Sequence, residues 1–181
     1  ITILDPVISD VTTFSLSFNT VNYDTITDNG DWWLTDADAS DIDPGSDQLS
    51  WRNYQFKEEL ETYGDNVDSA IVSPAVDLSL LSNAKFFFQE RTELLENDMG
   101  VLQLTTDVSY EQYPSVDTNW FTLYTTSSQP TPEWTQREVD LTPWIGQTVQ
   151  FQFRFRSDSS GQGEGWWVDE FDVRGSYYRH N

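Results

Sequence analysis

Chemistry in this chain rests first on its acids. Glu170-Phe171-Asp172 sets two carboxylates two residues apart in a sequence that carries 31 acidic and 9 basic residues. On a strand, residues two apart share a face, and a facing pair of carboxylates is what glycoside hydrolysis needs. Continuing the alternation, however, brings Arg174 into the next position, so the acid/base set is incomplete. Nucleophilic chemistry has less to draw on. His180 is the only histidine and cysteine is absent, so neither a Cys-His pair nor a Ser-His site can be assembled. No catalytic residue is assigned, and the reading is of a protein that is not an enzyme.

A second group of acids, Asp36, Asp38, Asp41, Asp43 and Asp47, is interleaved with Pro44 and Gly45. Its opening resembles a calcium loop of the EF-hand type. Position six is Asp41 instead of glycine and position twelve is Asp47 instead of glutamate, so that motif fails and a looser cation site or a solvated loop remains. The formal net charge of -22 repels phosphate backbones and anionic lipid surfaces. Nucleic-acid binding is therefore not expected. No apolar run is long enough to cross a bilayer, so membrane insertion is not expected either. Such a charge also suits solubility in a salty or extracellular setting.

These residues must be positioned by strands. Val149, Phe151, Phe153 and Phe155 alternate with Gln150, Gln152, Arg154 and Arg156, the period-two pattern of a strand with one buried and one wet face. A glycine-rich loop, 157–165, leads to a second strand-like run, Trp166 to Val173. Further strands are expected over 70–76, 84–90, 101–105, 120–124 and 134–139, and one or two more in the β-branched segment 1–20. Only Trp51 to Gly64 has any helical character, and its apolar spacing is ragged. With aromatic residues at 15%, the chain has enough apolar bulk to fold despite its charge. Many short strands punctuated by turns predict an all-β, antiparallel two-sheet β-sandwich of jelly-roll type. The expected organisation is an N-terminal lead-in over 1–20, one domain over 21–175 and a tail over 176–181. The sequence opens at Ile1 without a start methionine, and reads as a mature or excised piece of something larger.

Several segments resemble one family. SPAVDLS (73–79), NAKFFFQ (83–89), NDMGVLQLTTD (97–107), WTQREVDLTPWIGQTVQFQFRFRSD (134–158) and GEGWWVDEFDV (163–173) are similar, in order and spacing, to the MAM-like jelly-roll modules. Those modules accompany bacterial secreted proteases of the immune-inhibitor-A and bacillopeptidase F kinds. The family's tight turn is replaced here by the longer segment 107–118, and its closing acidic pair reads Asp169-Glu170. The resemblance implies that the first and last strands lie close, bringing Asp24 near Asp169 to hold a structural calcium ion, whose six to eight oxygens carboxylates and loop carbonyls can supply.

The resemblance also assigns six of the eight tryptophans to packing positions, which leaves Trp32 and Trp167 as extra. Each must point opposite to its neighbour, Trp33 or Trp166, so one indole of each pair is expected at the surface or at an edge, where it could stack on a sugar. The functional expectation is a non-catalytic extracellular or cell-surface binding or adhesion module, stabilised by calcium, whose ligand is a protein or a glycan. A carbohydrate-binding module is one alternative. Another is a structural subunit of a filament or surface layer that self-associates through residues 1–18, because an edge strand can complete a neighbour's sheet.

Overall fold

The computed structural model describes residues 9–23, 32–35, 50–53, 62–108, 118–126 and 129–177. Two antiparallel sheets face each other. In the first, β12 (Gly165–Tyr177) is central: along one edge it pairs with β7 (Leu81–Glu93), which in turn pairs with β10 (Thr131–Asp140). The other edge of β12 is shared. Its N-terminal part meets β4 (Ser50–Asn53), flanked by β3 (Trp32–Thr35), and its C-terminal part meets β1 (Ser9–Ser15).

The second sheet is ordered β2 (Asn19–Asn22), β5 (Asp68–Val72), β11 (Thr148–Arg156), β8 (Met99–Thr105) and β9 (Phe121–Thr125), with β6 (Val76–Asp77) pairing beyond β5 on the same edge of β11. The break between β5 and β6 falls at Ser73-Pro74. Proline has no N–H for the ladder, and Ser73 bridges the gap: its N–H donates to the Phe151 carbonyl, and its Oγ accepts from the Phe151 N–H at 2.9 Å. This is the two-sheet sandwich that the alternation predicts.

The core between the sheets is aromatic. Val149, Phe151, Phe153 and Phe155 of β11 are fully buried, as expected. Phe153 sits at the centre, with ring centroids 5.1 to 5.9 Å from Phe18, Phe86, Phe88, Trp166 and Phe171. Tilted and edge-to-face pairs of this kind add about 0.5–1.5 kcal/mol each to the burial of their area. Trp166 packs on Gly100 of β8, where an added Cβ would lie 2.3 Å from the indole.

The strands of the N-terminal segment, β1 and β2, are each paired within the chain's own sheets. Two details depart from the sequence reading. Trp51 to Asn53, in the segment with helical character, is strand β4, while 54–61 lie outside the described residues. The outward face of β11 is not wet along its length, since Gln150 and Gln152 are buried. The Tyr23 hydroxyl reaches across β5 and donates to Gln152 Oε1 at 2.9 Å. A row of amides continues from there, from Gln152 to Gln103 and from Gln103 to Thr122. Amides paired to one another in this way can be covered without leaving polar groups unmet. No helix among the described residues is long and apolar enough to cross a membrane.

Candidate functional site

The last strand carries the candidate residues, and one irregularity sorts them. Asp169 pairs with Gln89, whereas Asp172 pairs with Phe87, so two residues of β12, Glu170 and Phe171, stand against one of β7. Glu170 has φ 49°, a left-handed conformation uncommon for a residue with a side chain. This is a β-bulge, and it resets the phase of the strand. Trp166, Val168 and Val173 belong to the core cluster and the half-buried Phe171 packs against it, which strict alternation would forbid. The alternation on which the pairing of Glu170 and Asp172 rests is interrupted at Glu170 itself.

The bulge gathers oxygens. Asp169 Oδ1 accepts from the Glu170 N–H at 2.8 Å, and Asp172 Oδ2 accepts from Arg174 Nη2 at 2.8 Å. Asp172 Oδ1 and Gln89 Oε1 are both buried with no hydrogen-bond partner among the described residues. Buried acceptors without donors carry a desolvation penalty of about 1–3 kcal/mol each, and a cation is one partner that relieves it. Among the described residues no three His, Cys, Asp or Glu side chains converge as a complete metal set. The other expected calcium ligand, Asp24, lies outside the described residues, as does the acidic segment 36–49. The donor chemistry at Asp169 thus fits an oxygen-seeking cation without completing its coordination shell.

Next to the bulge, Trp167 points away from the core, opposite Trp166, but it is not wet. It is fully buried, with the Arg52 and Arg91 guanidinium groups 4.4 and 4.5 Å from its ring. Both arginines are held by Glu164: Arg52 Nε and Nη2 donate to its backbone carbonyl, and Arg91 lies 3.6 Å from its carboxylate. Trp32 faces inward and packs edge-on against Trp166 at 5.6 Å. The outward member of that pair is instead Trp33, opposite Arg52 across β3 and β4. Neither Trp32 nor Trp167 offers an open indole face, because the packing partner of one and the two arginines of the other already cover them.

The remaining buried carboxylates are sealed by donors. Glu90, on the inward face of β7, accepts from Trp166 Nε1 at 2.9 Å, Arg137 Nε at 2.6 Å and the Tyr124 hydroxyl at 2.5 Å. It thereby ties both sheets together at one flank. Burial, and then the negative Glu90 it donates to, pushes the Tyr124 phenol above its ordinary range. Asp98 accepts from the Tyr63 hydroxyl at 2.6 Å and the Asp158 N–H at 2.8 Å, and burial followed by this carboxylate raises Tyr63 in the same way. Neither acid is oriented toward an open cleft by these bonds. Gln89, Arg52 and Arg91 escaped the sequence reading, because a strand glutamine or arginine gives no signal until its cross-strand neighbours are known.

No protein-family model matches the sequence, and no curated protein matches it. Solved structures do resemble its fold. The K1 cleaved adhesin domain of Lys-gingipain from Porphyromonas gingivalis W83 superposes with a TM-score of 0.56 at 12% identity, covering 92% of this chain and 99% of that one. TmCBM61, solved with β-1,4-galactotriose, gives 0.52 at 8% identity over 86% of each chain. Caldicellulosiruptor saccharolyticus CBM27-1, solved with mannohexaose, gives 0.50 at 8% identity, covering 91% of this chain and 96% of that one. The chain has the β-sandwich fold of adhesin and carbohydrate-binding modules.

Proposed function

We propose that this chain is a non-catalytic binding module of an extracellular or cell-surface protein, and that its ligand is a glycan. The observation that supports this most is the whole-module correspondence of fold with the gingipain adhesin domain, end to end in both chains. The two sugar-bound modules of the same fold favour a glycan over a protein ligand. The MAM-like kinship belongs to the same proposal and rests on the segments 73–79, 134–158 and 163–173. Assembly into a filament through residues 1–18 is a weaker reading, since β1 would have to leave its place on β12. An array of neutral and acidic glycans probed with the intact chain tests the proposal, which fails if no glycan is retained while an immobilised protein partner is.

Calcium is the proposed stabilising ion, held near Asp169 with Gln89 and Asp172 contributing oxygens and Asp24 as the further ligand implied by the family resemblance. A ligand that binds the folded state at a hundred times its Kd stabilises by about 2.7 kcal/mol. Millimolar calcium should therefore raise the Tm of the wild-type chain by several degrees, and the gain should vanish in Asp169→Asn. An identical Tm with calcium and with chelator would remove the ion from the proposal and leave the binding module standing.

A further inference from the structure

Lys85 and Arg174 face each other across the β7–β12 ladder on the outer side of the first sheet. Like charges directly opposite on neighbouring strands are destabilising, and here each is drawn aside by a carboxylate. Lys85 bonds Glu138 on β10, while Arg174 turns back along its own strand to Asp172, with its guanidinium 4.5 Å from the Phe87 ring. Between the two diverging side chains lies an open depression of about 150 Å³, lined by Asn83, Lys85, Phe87, Arg174, Gly175 and Ser176. The side chains of Lys85 and Arg174 are 50% and 47% exposed, so both can be reached from solvent.

We infer that this depression is a subsite for a single neutral hexopyranose unit, an assignment that rests on the glycan-binding reading above. Size is the first argument. The space is on the scale of one sugar ring and well short of the roughly 300 Å³ or more of a drug-sized pocket. Hydrogen-bond chemistry is the second. A lysine carries three donors and an arginine five, and their single carboxylate partners leave donors for ring hydroxyl oxygens, with the Asn83 amide and Ser176 hydroxyl able to give or accept. Phe87, with the Arg174 guanidinium 4.5 Å from its ring, adds apolar lining at the rest of its surface.

Charge decides between neutral and acidic sugars. Glu138, Asp140 and Asp172 surround the two cations, and the whole chain carries -22. That field opposes the approach of a uronate or a sulfated ring, whereas a neutral ring meets no such barrier.

The test takes the best ligand from an array of neutral and uronate glycans and titrates it by calorimetry into the intact chain. Wild type, Asn83→Ala, Lys85→Ala and Thr125→Ala are compared, the last on the other sheet, with circular dichroism confirming the fold of each. Loss of one charged hydrogen bond should weaken Kd about tenfold in Lys85→Ala, and less in Asn83→Ala, with Thr125→Ala unchanged. A neutral glycan bound equally by all four proteins overturns the subsite while the binding-module reading survives. A preference for uronates that Lys85→Ala abolishes overturns the neutral assignment. Retention of no glycan overturns the subsite and the glycan reading together.

Discussion

β11 and β12 are the central strands of the two sheets, and they obey opposite rules. β11 keeps strict alternation over nine residues, its four apolar side chains buried and every inward position filled by hydrocarbon or ring. β12 breaks step at Glu170, where one extra residue turns Phe171 toward the core and leaves Asp172 and Gln89 each with a buried oxygen that lacks a donor among the described residues. The regular strand is spent on stability. In the irregular one, the local rule is broken where polar groups collect, which is where functional sites tend to be found.

The sharpest way to break this contrast is to remove the ring on which the regular strand converges. Phe153→Ala deletes five aromatic contacts and should cost about 3–5 kcal/mol, read as the shift of a urea unfolding curve; a loss below 1 kcal/mol would mean that β11 is not the keystone of the core. Tyr124→Phe probes the tie between the sheets and should cost about 1 kcal/mol at pH 7 by taking one donor from Glu90. Its pH dependence has a definite sign. Because the folded phenol is held above its ordinary value, its contribution is complete below the unfolded pKa of about 10 and is lost as pH rises from there toward the folded value. The gap between wild type and Tyr124→Phe should therefore narrow above pH 10, and a gap that widens there contradicts the assignment.

The smallest effect belongs to the bulge. Glu170→Gly relieves a side chain held at positive φ and, measured in chelator so that no cation intervenes, should be neutral or stabilising by up to about 1 kcal/mol. The same change at Gln152, in the extended β11, should destabilise. Equal losses at both positions would erase the distinction between the two strands.

Much of the fold could be read from residue types alone, because burial leaves a period-two imprint wherever a strand is regular. The phenylalanines of β11 and the run 84–90 follow that imprint. It fails at β12, where no residue between Asp169 and Asp172 announces a bulge: the positive φ of Glu170 accompanies the change of phase that turns both Val168 and Phe171 toward the core. It fails again for the tryptophans. Alternation correctly opposes Trp166 to Trp167, yet it says nothing of the two arginines, from β4 and β7, that converge on the outer indole. Likewise Lys85 and Arg174 are 89 positions apart in sequence, and the register that opposes them belongs to the assembled sheet.

The pairing of β1 with β12 also determines how the domain would bear load. Ser9 lies opposite Tyr177 and Ser15 opposite Asp172, so the outer ends of these two antiparallel strands sit side by side. Tension that draws those ends apart would meet the hydrogen bonds in succession, beginning at the pair Ser9 and Tyr177, instead of shearing the whole ladder at once. A sandwich pulled at those two strand ends would then open like a zip, peeling β1 from β12 pair by pair and drawing Tyr177 and then Phe14 off the core as it went.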